Sequence, residues 1–262
     1  MAGYVHGYDE RANARLVDQA AALVDLLHHD TAYPSASRVL EAGCGVGAQT
    51  VTLVARSPQA QFTSVDVSAE SLAEARRRTR GAANVEFVQA DIFALPFAPA
   101  SFDHVFVCFL LEHLARPVDA LRTLIELVRP GGSVTVIEGD HSSAYFYPDS
   151  AAAHDAIQCQ VELQRRAGGD SEIGRRVYPL MVESGLDGVQ VSPRMVYVDA
   201  SRPDLVGGFT HKTFTAMIEG VRDPALAAGL ITAERFDAGI EALYRTDVFC
   251  YAFFKGVGRR GR

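Results

Sequence analysis

Residues 39–49 read VLEAGCGVGAQ, an apolar run that leads into three closely spaced glycines. The apolar start predicts a buried strand, and Gly43, Gly45 and Gly47 predict a tight turn that opens a helix. Glycines suit such a turn because they let a ligand approach the backbone, and a helix N-terminus offers unpaired amides. Gly43, Gly45 and Ala48 also fit the dinucleotide pattern GxGxxG/A, so the turn alone does not choose between ligands.

The next predicted strand, residues 61–66, ends in Asp66, about 20 residues past the glycine turn. A carboxylate at this place can accept hydrogen bonds from both hydroxyls of a ribose, which favours an adenosine-containing ligand. The alternative is that Asp66 only precedes the helix cap that we expect at Ser68.

Strands and helices alternate from Arg38 to Glu138, which is typical of a parallel sheet built from βαβ units. The strands expected there cover residues 38–42, 61–66, 85–89, 102–108 and 133–138. We expect the polar, aromatic stretch GDHSSAYFYPDS to form a loop. The later elements expected are helices over 150–166, 172–183, 205–221 and 233–244 and strands over 189–198 and 248–254.

Composition excludes several classes of protein. The chain has 262 residues, 48% of them hydrophobic, and a net charge of −7, so an electrostatic attraction to nucleic acid is not expected. The four cysteines lie far apart and predict neither a disulfide framework nor a metal site. We find no apolar run of the roughly 20 residues that would span a bilayer, and we expect a cytoplasmic protein without membrane or nucleic-acid partners.

Four motifs, in order, resemble those of the class I S-adenosylmethionine-dependent methyltransferases, especially the small-molecule branch with the ubiquinone and menaquinone enzymes. They are LEAGCGVG, SVDVS, QADIFALPF and LVRPGGSVTVIE. The resemblance implies an α/β fold: a Rossmann-like, seven-stranded, mostly parallel doubly wound sheet with an antiparallel last strand and a helical cap. We expect a single domain over 1–262, with an N-terminal cap arm (1–37), a cofactor core (38–140) and cap insertions (141–170 and 199–246).

The resemblance also implies the cofactor, S-adenosyl-L-methionine, which leaves as S-adenosyl-L-homocysteine. In this family the glycine turn approaches the methionine part, the acidic residue that ends the second strand (61–66) holds the ribose, and the loop after the fourth strand (102–108) accepts the ammonium group. Glu41 is expected to position that ammonium directly or through water, and Asp91 to read the adenine, with a turn cap as its alternative. The cofactor residues so implied are Tyr8, Arg11, Glu41, Gly43, Gly45, Gly47, Gln49, Asp66, Val67, Asp91, Ile92 and Phe109.

Acceptor residues are expected beyond the carboxyl ends of the fourth and fifth strands, where ligands of open parallel sheets bind. We predict His141 as a general base, because imidazole titrates near neutrality and Asp140 could orient it. The alternative for His141 is a structural histidine of the loop, and for Phe209 a packing role. The predicted substrate residues are His113, Asp140, Tyr145, Tyr197, Phe209 and His211.

These features predict transfer of a methyl group to O, N or C of a small, partly apolar metabolite of specialised or quinone-like metabolism. Two alternatives stay open. A nicotinamide-dependent oxidoreductase would explain the glycine turn and Asp66, and a non-catalytic S-adenosylmethionine-binding module would explain the cofactor motifs without an acceptor pocket. A homodimer also stays open.

Overall fold

The computed structural model describes Ala20 and residues 22–262. Within this part of the chain, seven strands form one sheet in the order β3-β2-β1-β4-β5-β7-β6. β1 to β5 run parallel, and β7 lies antiparallel between β5 and β6. The strands are β1 Arg38–Ala42, β2 Gln61–Asp66, β3 Val85–Gln89, β4 Phe102–Cys108, β5 Val128–Tyr147, β6 Leu186–Asp199 and β7 Val248–Arg260. The expected mostly parallel, seven-stranded fold is confirmed.

The strand order reverses direction at β1, because β2 lies on one side of it and β4 on the other. In open α/β sheets a ligand crevice forms at such a switch point, outside the carboxyl ends of the strands. The ends of β1, β2 and β4 are the segments that carry the glycine turn, Asp66 and Phe109. The topology therefore gathers the predicted cofactor residues at one edge of the sheet.

Helices cover both faces of the sheet. They are α1 (22–28), α2 Thr50–Arg56, α3 Ala69–Arg78, α4 Pro117–Leu127, α5 Ala151–Arg166, α6 Val177–Glu183, α7 Pro203–Leu205, α8 Ala216–Glu219, α9 Arg222–Ala227 and α10 Ala233–Tyr244. Short 3-10 helices cover Leu111–His113 and Ile173–Arg176, and a π-helix covers Val206–Thr215. Ser68 caps α3 as expected, since its hydroxyl accepts a hydrogen bond from the Ser71 amide at 3.1 Å.

Two hydrophobic cores lie on opposite faces of the sheet. One contains side chains of α1, α5, the π-helix and α10, among them Phe209 and Phe236. The other contains side chains of α4 and α6, among them Leu124 and Met181. In the described residues no helix is both long and apolar enough to cross a membrane.

The expectation of a loop after Glu138 is wrong, because β5 continues to Tyr147. A bulge between Asp140 and Tyr145 interrupts its pairing with β7, which then resumes. The stretch AYFY has the aromatic composition that strands favour, and β7 supplies a partner for it. The first residues of the expected insertion at 141–170 are therefore strand, and the expected regular helix at 205–221 is a π-helix over most of its length.

Candidate active site

The glycine turn after β1 is held against the end of β2 by backbone hydrogen bonds. The amides of Gly43 and Cys44 both donate to the Val65 carbonyl at 2.9 Å, and the Gly47 amide donates to the Cys44 carbonyl at 2.9 Å. All three glycines have positive φ, +73° at Gly43, +50° at Gly45 and +75° at Gly47. Other L residues rarely adopt this conformation, so the turn requires its glycines.

The three glycines differ in what surrounds them. A Cβ at Gly43 would lie 2.8 Å from the Leu110 side chain, and one at Gly47 would lie 2.9 Å from the Ala75 side chain. At Gly45, no atom lies within 4 Å of the Cβ position. Gly43 and Gly47 therefore allow close packing, whereas Gly45 keeps the backbone accessible from open space.

Asp66 joins the glycine turn to the start of α3. Its Oδ2 accepts the Gly45 amide at 2.8 Å, and its Oδ1 accepts the Ser68 amide at 2.9 Å. A carboxylate has about four acceptor positions on its two oxygens, so two backbone bonds leave capacity for two ligand hydroxyls. Asp66 thus contacts the start of α3, as the alternative from the sequence implied. It also keeps the acceptor capacity that the two hydroxyls of a ribose would need.

The predicted adenine residues follow β2 and β3, which pair directly, with Asp66 opposite Gln89. Val67 is 54% exposed, an unusually open apolar side chain beside the turn. Asp91 is exposed, and its Oδ1 accepts the Phe93 amide at 2.9 Å, so it also caps a turn. Ile92 beside it is half-buried. The parallel pairing of β2 with β3 places these three residues at the same edge of the sheet.

Glu41, on β1, is 2% exposed. Its Oε2 accepts the Thr50 hydroxyl at 2.7 Å and the Ser64 hydroxyl at 2.6 Å. Burial raises the pKa of Glu41 to about 7, although both hydrogen bonds act in the opposite direction. Oε2 is thus held by Thr50 and Ser64, which fixes the orientation of the carboxyl group.

Phe109 follows β4 with a left-handed backbone, φ +55°. Its amide donates to the Ile137 carbonyl at 2.9 Å, and its ring lies 5.5 Å from the Phe253 ring. The next two amides, of Leu110 and Leu111, donate to Oε1 of Glu138 at 3.0 and 2.7 Å. Because Leu110 also packs against Gly43, this segment connects the glycine turn to the middle of β5.

Gln49, at the start of α2, is linked to α1. His28 Nε2 lies 2.7 Å from Gln49 Oε1, and burial lowers the pKa of His28 to about 4. The neutral imidazole thus donates to the amide oxygen, which holds Gln49 in place below the turn. Tyr8 and Arg11 lie outside the described residues.

His141 is buried at the bulge in β5, where it contacts a tyrosine. Its Nδ1 lies 2.9 Å from the hydroxyl of Tyr251 on β7, and its ring lies 6.4 Å from the Phe214 ring. Asp140 does not orient it. Instead, Asp140 pairs with Arg175 through two hydrogen bonds, Oδ2 with Nε at 2.6 Å and Oδ1 with Nη2 at 2.8 Å. Because β5 is a strand here, adjacent side chains point to opposite faces.

The remaining predicted acceptor residues are only partly brought together. His113 Nε2 lies 3.6 Å from Glu112 Oε1 in the 3-10 turn after β4. Phe209 is buried and packs on β7, with its ring 5.8 Å from that of Tyr251, as the packing alternative implied. The ring of His211 lies 5.2 Å from that of Tyr244 on α10.

Tyr145 and Tyr197 lie on the other face of the sheet. Both pair with Cys250, one from each side, and side chains directly opposite each other share a face. The face of Tyr251, one residue further along β7, is the one that carries His141. The tyrosines are 52% and 49% exposed, and the sheet separates them from His141, so their assignment to the substrate is withdrawn. The same geometry removes Asp140 from the substrate residues, because it pairs with Ala252 and therefore lies on the same face as Cys250.

Residues 39–132 match a family model described as a methyltransferase domain. The match spans the glycine turn, Asp66, Asp91 and Phe109. The chain carries a class I S-adenosylmethionine-dependent methyltransferase domain. An uncharacterized 37.1 kDa protein in transposon TN4556 of Streptomyces fradiae is 33% identical over 192 residues, which are 72% of this chain and 54% of that protein.

A demethylmenaquinone methyltransferase of Clavibacter sepedonicus is 36% identical to the chain over 101 residues, 38% of this chain and 40% of the relative. The chain thus spans about half the length, or less, of these curated relatives. Phosphoethanolamine N-methyltransferase 2 of Haemonchus contortus, solved with phosphomonomethylethanolamine and S-adenosylhomocysteine, has a TM-score of 0.57 at 17% identity. That alignment covers 94% of this chain and 53% of the other, and it supports the methyltransferase fold.

The residues of the methyltransferase domain fit S-adenosylmethionine. Gly45 leaves open space at the turn, Asp66 keeps acceptor capacity, and Val67 offers an exposed apolar surface beside it. Among the described residues, no group of three or more His, Cys, Asp or Glu side chains is arranged to hold a metal.

Sequence reasoning missed two residues that contact the predicted site. Glu138 is fully buried, and burial together with Glu112 raises its pKa well above the ordinary range. An acidic residue at the end of the apolar run SVTVIE is a signal that could have indicated it. Tyr251 has no such signal, because it lies in an ordinary aromatic strand 110 residues from His141.

Proposed function

We propose that the chain transfers a methyl group from S-adenosyl-L-methionine to O, N or C of a small, partly apolar metabolite. The observation that carries this proposal is the turn at Gly45, which faces open space while its amide is bound to Asp66. An accessible stretch of backbone and a carboxylate thus lie next to each other at this turn. A dinucleotide fold would share these two features but would not require the later motif QADIFALPF, which contains Asp91.

Catalysis by the chain consists mainly of positioning. S-adenosylmethionine supplies a methyl group that its sulfonium charge already activates. Orientation of two reactants in a near-attack geometry is worth up to about 7 to 11 kcal/mol, and the protein provides it by holding donor and acceptor at one edge of the sheet. Asp66 holds the ribose, Val67 and Asp91 contact the adenine, and the backbone after β4 at Phe109 binds the ammonium end.

The acceptor lies beside His141. Aromatic rings surround this histidine, with Phe214 at 6.4 Å and Tyr251 at 5.9 Å between ring centres. Such surroundings favour a partly apolar acceptor, and the demethylmenaquinone methyltransferase similarity supports a quinone-like or specialised metabolite. His141 acts as general base where the acceptor must lose a proton. Residues 148–170 and 199–246 form the cap over a single domain.

Calorimetric titration with S-adenosylmethionine, S-adenosylhomocysteine and NADH tests the cofactor. Binding of both sulfur ligands without NADH is expected, and binding of NADH alone would support the oxidoreductase alternative. The variant Asp66→Ala should weaken binding. Its matched control is Asp103→Ala, since Asp103 also accepts a backbone amide, that of Arg38 at 2.7 Å, but at the amino ends of the strands.

A second experiment tests methyl transfer itself. Labelled S-adenosylmethionine is incubated with a panel of phenols, quinols and amines, and transfer of label to an acceptor is measured. Transfer to at least one apolar acceptor is expected. Tight cofactor binding with no transfer to any acceptor class would favour the non-catalytic binding module.

A further inference from the structure

A buried hydrogen bond joins two side chains at the end of the sheet that are far apart in the sequence. His141 Nδ1 on β5 lies 2.9 Å from the hydroxyl of Tyr251 on β7. We propose that Tyr251 is a positioning residue for methyl transfer: it holds the imidazole of His141 in one orientation beside the acceptor. This inference rests on the function proposed above and adds to it the residue that orients His141.

The Tyr251 ring is itself held by packing. Its ring centre lies 4.7 Å from that of Phe253, 5.5 Å from that of Phe214 and 5.8 Å from that of Phe209. A partner whose own rotamer is fixed can fix the side chain that it hydrogen-bonds, in the way that outer residues orient catalytic ones. Tyr251 therefore has the rigidity that an orienting role requires.

Gly139 is a second, independent observation. A Cβ at this position would lie 2.3 Å from the Tyr251 hydroxyl oxygen and 3.3 Å from its Cζ. Gly139 is not among the glycines with positive φ, so its backbone conformation does not require glycine. The missing side chain instead admits the Tyr251 hydroxyl to β5, two residues before His141 and on the same face.

Three carboxyl groups near this pair influence the Tyr251 hydroxyl. Glu112, Glu138 and Asp140 act on Tyr251, and together with burial they raise its pKa, so the hydroxyl keeps its proton. Asp140 itself is bound to Arg175 on the opposite face. A neutral hydroxyl can thus orient His141 without adding a charge beside it.

The test compares Tyr251→Phe with the wild-type protein. The ¹⁵N signals of the His141 imidazole, assigned with His141→Gln, are recorded without cofactor. The kcat and KM are then measured with an acceptor that the panel of phenols, quinols and amines identifies, and the affinity for S-adenosylmethionine is measured by calorimetry. We expect displaced His141 signals, a kcat lower by about tenfold to a hundredfold and an unchanged cofactor affinity. Tyr33→Phe is the matched control, because its hydroxyl is also buried but its ring packs against Phe62 near the amino ends of the strands.

Unchanged His141 signals in Tyr251→Phe would overturn the positioning role. Displaced signals with wild-type kcat would overturn its part in the reaction. Cofactor binding by the wild-type protein reports separately on the proposed function, so the two failures are distinguishable.

Gly139→Ala gives a second arm, because it should push the Tyr251 hydroxyl away and reproduce the loss of kcat. In the Tyr251→Phe background, Gly139→Ala should lower kcat by less than a further factor of about three, because the hydroxyl that makes the closest contact with the new Cβ is absent. Equal losses from Gly139→Ala in both backgrounds would contradict the role given to this glycine.

Discussion

The substitution Glu41→Gln should make the protein more stable at alkaline pH and leave it nearly unchanged at acidic pH. Glu41 is buried with both hydrogen-bond donors, Thr50 and Ser64, on its Oε2. Glutamine keeps an oxygen for these two hydroxyls and resembles the protonated acid in shape. The variant therefore tests the charge of Glu41 with little change in packing.

The magnitude follows from the pKa, which burial raises from the ordinary 4.5 to about 7. Because the folded pKa lies above the unfolded one, the stability that Glu41 contributes is complete below about pH 4.5 and is lost as the pH rises to about 7. At about 1.4 kcal/mol per pH unit this loss amounts to about 3 kcal/mol. Glu41→Gln should avoid it, so its advantage in unfolding free energy should grow from near zero at about pH 4 to about 3 kcal/mol at about pH 8.5.

Urea denaturation of both proteins at the two pH values measures this difference. Glu126→Gln, which removes an exposed glutamate on α4, should change stability by less than about 0.5 kcal/mol at either pH. An advantage of Glu41→Gln that is the same at both pH values would refute the reasoning. In that case Glu41 would titrate in the folded protein as it does in the unfolded chain.

Three further predictions concern the cofactor side and His141. Asp66→Ala should weaken S-adenosylmethionine binding about tenfold or more by calorimetry, because ligand hydroxyls lose a charged acceptor, and unchanged affinity would remove Asp66 from the site. Gly47→Ala should lower the free energy of unfolding by about 1 to 3 kcal/mol, because the new Cβ would meet Ala75. Gly45→Ala should mainly reduce cofactor affinity. If denaturation and titration gave the reverse pattern, the open space at Gly45 would be contradicted. His141→Ala should lose turnover in the labelled-methyl assay with cofactor affinity nearly intact, and retained turnover would show that no base is needed there.

The cofactor half of the site was largely predictable from the sequence. The strands expected over 61–66, 85–89 and 102–108 have these same bounds in the structure, because short apolar runs there end at clear turn residues. Local signals of this kind place the residues after each strand, and parallel topology then brings them to one edge. The positions of the glycine turn and Asp66 follow from that alone.

The far half of the site depends on long-range pairing, which local signals do not carry. Glycine is infrequent in strands, so the sequence predicts that the last strand ends before GVGRR. Pairing with β5 and β6 nevertheless extends β7 to Arg260. The same pairing draws residues 145–147 into β5. The hydrophobic periodicity of the sequence does not show which strands pair, and this pairing overrides the local propensity here.

Asp140 and His141 show how such a change of element alters the expected chemistry. In a loop, the two neighbouring side chains could meet, and the carboxylate would stabilise a charged imidazolium. On a strand they point to opposite faces, so Asp140 pairs with Arg175 and His141 meets the hydroxyl of Tyr251. A hydroxyl orients an imidazole without favouring its charged form as a carboxylate does. The strand thus separates a structural ion pair from the acceptor side and gives His141 a neutral partner, which is why Tyr251, and not Asp140, is the residue whose removal should change the reaction.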